Sequence, residues 1–312
     1  MENKKQMTGY TDTVFMIEPV AFDYNPETAV NNLFQKTADK QSTETQKLAL
    51  AEFNNMVNLL KNEGVKVITI KDTPQPHKPD SIFPNNWVSF HENNQVVLYP
   101  MFAENRRVER RMDILEEIEK QLDRKFKITD YSDCEAKNIF LEGTGSYVPD
   151  RKNKIAYASI SQRTHEVLFK KFCEENNFKP VIYNASQKVN GEFHPIYHTN
   201  VIMCDAAKHT IICLEVIRDE QERKMVVSEI EKSGKKVFEI SEHQMNNFAG
   251  NMLLVKNKSE ELILVMSKSA FDLLTKEQIS ELESNYKLLV CPIPTIEKYG
   301  GGSARCMIAE IF

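Results

Sequence analysis

The sequence is short of the features that assign a chain quickly. It holds one tryptophan, Trp87, and six cysteines among 312 residues. Cys134, Cys173, Cys204, Cys213, Cys291 and Cys306 lie far apart, with no C-x-x-C pair and none of the dense spacing of a secreted disulfide scaffold. A zinc ribbon is excluded and free thiols are expected. No run approaches the roughly 18 apolar residues that span a bilayer, and Met1-Glu2-Asn3-Lys4-Lys5-Gln6 leads into no signal-type apolar stretch. The expectation is a cytoplasmic protein with no membrane contact. Positive charge is not in excess either: 40 Lys plus Arg stand against 45 Asp plus Glu, a net charge of −5. No global field therefore favours nucleic acid or anionic lipid. The basic run Arg106-Arg107-Val108-Glu109-Arg110-Arg111 sits in a helical pattern laced with acids and reads as a solvated face.

What is present suits a globular chain. Hydrophobic residues make up 41% and charged residues 27%, with 17 Phe and 10 Tyr, enough to bury a sizeable core. At about 150 residues per domain, the length allows one large or two ordinary domains. Periodicity chooses between them. The order strand, strand, helix, strand begins at 81–91, 95–101, 104–123 and 126–129. It returns at 138–148, 154–159, 162–176 and 180–183, then at 197–204, 210–215, 219–232 and 236–240. A fourth copy occupies 248–255, 261–267, 276–285 and 287–291. The last strand, 304–312, lacks a following helix, whereas the first, 13–17, has a helix near 43–62 and a strand at 65–70 but no partner before it. Together the two ends complete a fifth copy. The predicted fold is α/β: five ββαβ units closed into a propeller, a single domain over 1–312 whose N- and C-terminal strands close one blade and leave no edge exposed.

Polar residues recur at matching places in the first strands. Asn86, Glu142, His198, Asn251 and Cys306 follow one another at intervals of 53 to 56 residues, and equivalent positions of a pseudo-symmetric ring converge on its axis. A cysteine attacks only as thiolate, and a neighbouring imidazole both stabilises that anion and carries protons to a leaving group. Cys306 with His198 meets this need. Gly300, Gly301 and Gly302, in a loop read over 294–302, let a ligand approach the backbone closely. Glu142, an acid among apolar residues and glycines, is suited to holding the N–H groups of a planar urea- or guanidine-like substrate, because a buried carboxylate needs a partner. His194 and His198 stand at H-x3-H spacing, but Pro195 disfavours a helix and four strand residues span about 13 Å. No metal and no organic cofactor is expected. Trp87 either walls the site or packs beside it.

Four ordered segments carry a family resemblance over nearly the whole chain: Phe83-Pro84-Asn85-Asn86-Trp87-Val88-Ser89, Leu141-Glu142-Gly143, His198-Thr199-Asn200 and Gly301-Gly302-Ser303-Ala304-Arg305-Cys306-Met307. They resemble the site motifs of the guanidino-group-modifying (amidinotransferase and arginine deiminase) superfamily, which has the five-bladed pentein fold, and most closely its citrulline utilization hydrolases. The resemblance implies Cys306 as covalent nucleophile, His198 as general acid and base, and Glu142 as substrate holder. Arg106-Arg107-Val108-Glu109 and Ser161-Gln162-Arg163-Thr164 are similar to segments of the related methylarginine hydrolases whose arginines hold a substrate carboxylate. This implies an amino-acid substrate gripped by Arg163 and by Arg106 or Arg107 through planar bidentate contacts. Arginine deiminases carry aspartates where Asn86 and Asn200 stand here. A neutral ureido group offers donors and an acceptor, which an amide answers, whereas an ionised carboxylate only accepts. The expected function is hydrolysis of L-citrulline to ornithine, carbon dioxide and ammonia. The alternatives are an arginine deiminase or amidinotransferase and, in another class, a non-catalytic propeller that binds a partner. The sequence leaves a homo-oligomer open.

Overall fold

The computed structural model describes residues 9–37 and 41–312; the N-terminal run read above as lacking a leader lies outside them. Five three-stranded sheets are arranged as the blades of a propeller. Each first strand pairs antiparallel with the second, and the second pairs parallel with the third across a helix. The first blade is built from Val88–Phe90, Gln95–Leu98 and Lys127–Asp130. The second uses Val148–Asp150, Ile155–Ser159 and Lys179–Tyr183, and the third Met203–Asp205, His209–Ile212 and Lys236–Glu239. The fourth has Leu253–Lys256, Leu262–Ser267 and Lys287–Cys291. In the fifth, Ala309–Ile311 from the end of the sequence pairs with Thr13–Glu18 from its beginning, which in turn pairs with Lys66–Lys71.

Alternation along the middle strands builds the core, because successive strand side chains leave opposite faces of a sheet. Val14 and Met16 join a cluster with Leu253, Val255 and Ile263 of the fourth blade, whereas Phe15 and Ile17 join Val88, Val96 and Ile114 of the first. Val97 likewise packs toward the second blade while Val96 and Leu98 pack toward the fifth. Each sheet is thus apolar on both faces, and the core is a circuit of inter-blade layers. The helices cover the outside; Ser42–Asn62 buries Ala49, Phe53, Met56, Val57 and Leu60 at helical spacing. Trp87 is fully buried in the layer between the fifth and first blades, so it packs rather than walling the site. Among the described residues no helix is long and apolar enough to cross a membrane.

Three local expectations are corrected. The first strands are shorter than their apolar runs, because each of four is preceded by one helical turn: Pro84–Asn86, Gly143–Ser146, Thr199–Ile202 and Ala304–Met307. These turns satisfy their backbone locally and so end the ladder before it reaches the axis. The helix read over 104–123 is two, Glu104–Arg107 and Met112–Leu122, and the solvated basic face does not hold, since Arg106 is 2% exposed. The loop read over 294–302 contains the helix Pro294–Gly300. Glu52 accepts hydrogen bonds from Thr295 N and Ile296 N at that helix's first turn, at 3.0–3.1 Å. A hairpin, Ser186–Val189 with Glu192–Pro195, is additional; its Asn190-Gly191 loop has both residues at positive φ, the usual signature of a tight hairpin.

Candidate active site

The helical turns before the inner strands bring the ring-equivalent residues together. The turn at Gly143 contacts the turns at Pro84 and Thr199, and the turn at Pro84 contacts that at Ala304. Glycine permits this approach: a Cβ on Gly143 would lie 2.3 Å from Asn85 O, and one on Gly145 would lie 2.5 Å from Asn86 Nδ2 and 2.7 Å from the His198 ring. The result is a tight recess, with about 10 Å³ of free space, whose wall includes Asn86, His198, Cys306, Arg106, Arg163 and Asp80.

Glu142 is fully buried. Its Oε1 accepts from Phe102 N at 2.9 Å, and its Oε2 accepts from His198 Nε2 at 2.8 Å and from Arg163 Nη1 at 3.4 Å. Burial raises its pKa, but Arg163, His198 and Arg106 together outweigh burial and hold the carboxyl well below its usual range. An ionised Glu142 accepts only, so His198 must carry its proton on Nε2 and leave Nδ1 as an acceptor. Burial brings the pKa of His198 down to about 4 against the opposing pull of Glu142. The free protein therefore presents a neutral, oriented imidazole near pH 7.

The expected thiol–imidazole contact is replaced by another arrangement. His198 is bonded to Glu142, while Cys306 Sγ lies 3.3 Å from Asn251 Nδ2 and 3.5 Å from Asn200 Nδ2. Two carboxamides, not the ring, surround the sulfur. Cys306 itself is 3% exposed and lines the recess.

The two arginine segments separate. Arg106 turns inward and makes a fork to Glu109 at 2.9 and 2.8 Å, donates to Asn86 Oδ1 at 2.8 Å, and reaches Phe83 O at 3.3 Å. Arg107 stays outside, about a quarter exposed, where it meets Glu104, Glu135 and Met101 O; it is not part of the recess. Adjacent helical residues point about 100° apart, so only one of the pair could face inward. Arg163 lies between the rings of Phe102 and Tyr197, at 5.8 and 4.9 Å, and donates to Asn31 Oδ1 at 2.9 Å and Thr28 O at 2.8 Å.

Sequence reasoning missed several wall residues. Asp80 sits six residues before Asn86; its Oδ2 accepts from Asn25 and Thr28 while its buried Oδ1 has no partner, and burial raises its pKa against the pull of Arg106. Thr28 and Asn32 come from the segment after the first strand, whose amide-rich Thr28-Ala29-Val30-Asn31-Asn32 was the available signal. Tyr197 donates its hydroxyl to Gly301 O at 2.6 Å, and Ser303 donates to Glu297 at 2.6 Å, so the glycine segment is tied at both ends. Among the described residues no group of three His, Cys, Asp or Glu is placed to hold a metal ion.

The chain resembles several solved structures at low identity. The N-terminal domain of ArgZ, from the ornithine-ammonia cycle in cyanobacteria, was solved covalently bound to a reaction intermediate. It superposes with a TM-score of 0.70 at 16% identity, covering 96% of this chain and 97% of that one. AgrE in complex with L-arginine gives 0.70 and 16%, with 96% of this chain covering 40% of the longer AgrE. A dimethylarginine dimethylaminohydrolase variant, solved as an adduct with S-methyl-L-thiocitrulline, gives 0.62 and 16% over 96% and 99%. At this identity the likeness shows the fold. No curated protein of similar sequence was found. The family described as N,N dimethylarginine dimethylhydrolase, eukaryotic, matches residues 18–312. The chain belongs to this family, and so to the Cys-dependent C–N hydrolases of the guanidino-group-modifying superfamily.

Proposed function

We propose that this enzyme hydrolyses the terminal C–N bond of L-citrulline to yield ornithine, carbon dioxide and ammonia, as one cytoplasmic propeller domain. The observation that carries this reading is the direction of the Asn86 amide. Arg106 can only donate, so Asn86 must offer it Oδ1, and Asn86 Nδ2 is left buried without a partner beside the His198 ring. A guanidinium has no acceptor to answer that donor; a ureido group has its carbonyl. Asn200 complements it, since its Oδ1 is also buried and unpartnered and suits a ureido N–H. Leaving either group unmatched costs about 1–3 kcal/mol.

In this reading the Cys306 sulfur attacks the ureido carbon. The thiol proton passes by way of the neutral His198 Nδ1 to the departing amine, the C–N bond breaks and ornithine leaves. His198 then takes a proton from water, whose oxygen displaces the sulfur from the thiocarbamoyl group; the carbamate released breaks down to carbon dioxide and ammonia. Glu142 keeps His198 oriented and accepts from the ureido nitrogen. Arg106 and Arg163 each retain one Nη1 proton for the substrate carboxylate. Arg107 has no place in this scheme.

A second reading, a guanidino substrate such as arginine or an N-methylated arginine, is favoured by the unpartnered Asp80 Oδ1 and by the names of the structural neighbours. Incubation with citrulline, arginine and dimethylarginine separately, followed by mass detection of ornithine and citrulline, decides between them. Ornithine from citrulline supports the first; consumption of a guanidino substrate with citrulline untouched replaces it with the second.

A further inference from the structure

We infer that Asn251 is a catalytic residue that stabilises the Cys306 thiolate through its side-chain N–H. This rests on the reading of Cys306 as the nucleophile and extends it to a residue with no role assigned above.

The Asn251 amide is fixed by groups that each allow one direction. Arg305 N, a donor, lies 3.1 Å from Asn251 Oδ1; Asn200 O, an acceptor, lies 2.9 Å from Asn251 Nδ2. Nδ2 also lies 3.3 Å from Sγ, and the thiol can give its own proton to Oδ1 at 3.6 Å, so the amide that accepts from the thiol has a donor ready for the anion once that proton leaves; Asn251 is fully buried, so no water competes for it. Asn200 Nδ2 contributes a weaker contact at 3.5 Å. The titratable and charged groups on the wall of the same recess are His198, Tyr197, Asp80, Arg106 and Arg163; among the described residues none of them hydrogen-bonds Sγ, and His198 is committed to Glu142. A sulfur in low-dielectric surroundings ionises only where donors are aimed at the charge it will carry, and preorganised amide dipoles do this without reorganisation. The ring that carries protons and the groups that hold the anion are therefore separate residues. That separation leaves His198 neutral and free to take the proton the sulfur loses.

The test is alkylation of the full-length protein by chloroacetamide at pH 7 and at pH 10, with the modified peptide identified by mass. Asn251→Ala lowers the ratio of the Cys306 rates at the two pH values about tenfold, the effect of losing one hydrogen bond to a charged group. Asn251→Asp, which keeps the shape and the bond from Arg305 N but loses the donor and adds charge, lowers it further; either variant, checked for a native circular dichroism spectrum, suffices. His198→Ala leaves the ratio within about twofold, because the ring does not hold the sulfur. An unchanged ratio in a folded Asn251 variant, or a fall produced by His198→Ala instead, overturns the inference. Exclusive alkylation of another cysteine overturns both the inference and the nucleophile assignment. A tenfold fall in an enzyme that ignores citrulline overturns only the substrate reading.

Discussion

The two ends of the inner strands treat buried polarity in opposite ways. At the amino ends, beside Cys306, polar atoms are left without partners: Asn86 Nδ2, Asn200 Oδ1 and Asp80 Oδ1 are all buried and unmatched. At the carboxyl ends the charges are consumed by one another. Lys235 lies 2.8 Å from Asp150 and 2.6 Å from Asp205, and Arg305 lies 3.0 Å from Glu310. One set is a structural clamp joining blades; the other is a set of open valences that a ligand can close. Buried unmatched polar groups cost stability, so those next to Cys306 are ones whose cost a bound ligand can offset.

The sharpest break of this comparison is chemical. Cys306→Ala should lower turnover at least about a thousandfold with an unchanged circular dichroism spectrum, because the attacking atom is gone and little volume is lost; product formation by mass spectrometry checks it, and residual turnover near wild type removes Cys306 from the mechanism. Lys235→Met should instead destabilise the fold by about 3–5 kcal/mol in urea titration, leaving two buried carboxylates unpaired, while kcat at a temperature where the variant is folded stays within about twofold. A large kcat loss there would mean that the ends are not independent. Asn86→Asp, which exchanges an open donor for an acceptor, should cut kcat/KM for citrulline about a hundredfold, measured by ornithine release; an unchanged value defeats the amide argument.

The smallest effect is a difference in pH response. Burial and Asp150 outweigh Lys235 and raise the pKa of Asp205 to about 7. A raised folded pKa means that this group's contribution is fully present below its unfolded value near 4 and is lost as pH rises toward about 7. Glu142 has the opposite sign: its pKa is depressed, so its contribution is present above about 4.5 and is lost on acidification. Urea titrations from pH 4 to 8 should therefore show that Asp205→Asn gains stability relative to the wild type as pH rises. A constant difference would remove Asp205 from the linkage.

Much of the propeller was legible because alternation and spacing are local. Val14, Phe15, Met16 and Ile17 announce a strand buried on both faces, and five similar units with complementary ends imply closure. The site was legible where repetition gave position a meaning: Glu142, His198 and Cys306 recur at one phase of the repeat. Where a residue's role depends on a neighbour from another blade, the pattern is silent. Arg106 and Arg107 are indistinguishable in sequence, yet one is buried against Glu109 and the other meets Glu104 and Glu135 at the surface. Asp80 and Asn32 stand outside the repeat phase and reach the recess only through loops.

Residue types and their period were thus enough to determine a closed ring of blades and the chemical groups available near its axis, since backbone geometry and apolar burial act over a few residues at a time. Which atoms of those groups meet was decided only on folding. Hydrogen bonds are directional and saturable, so the orientation of Asn86 depends on Arg106, that of His198 on Glu142, and that of Asn251 on Arg305 and Asn200, partners that become neighbours only once the blades have packed.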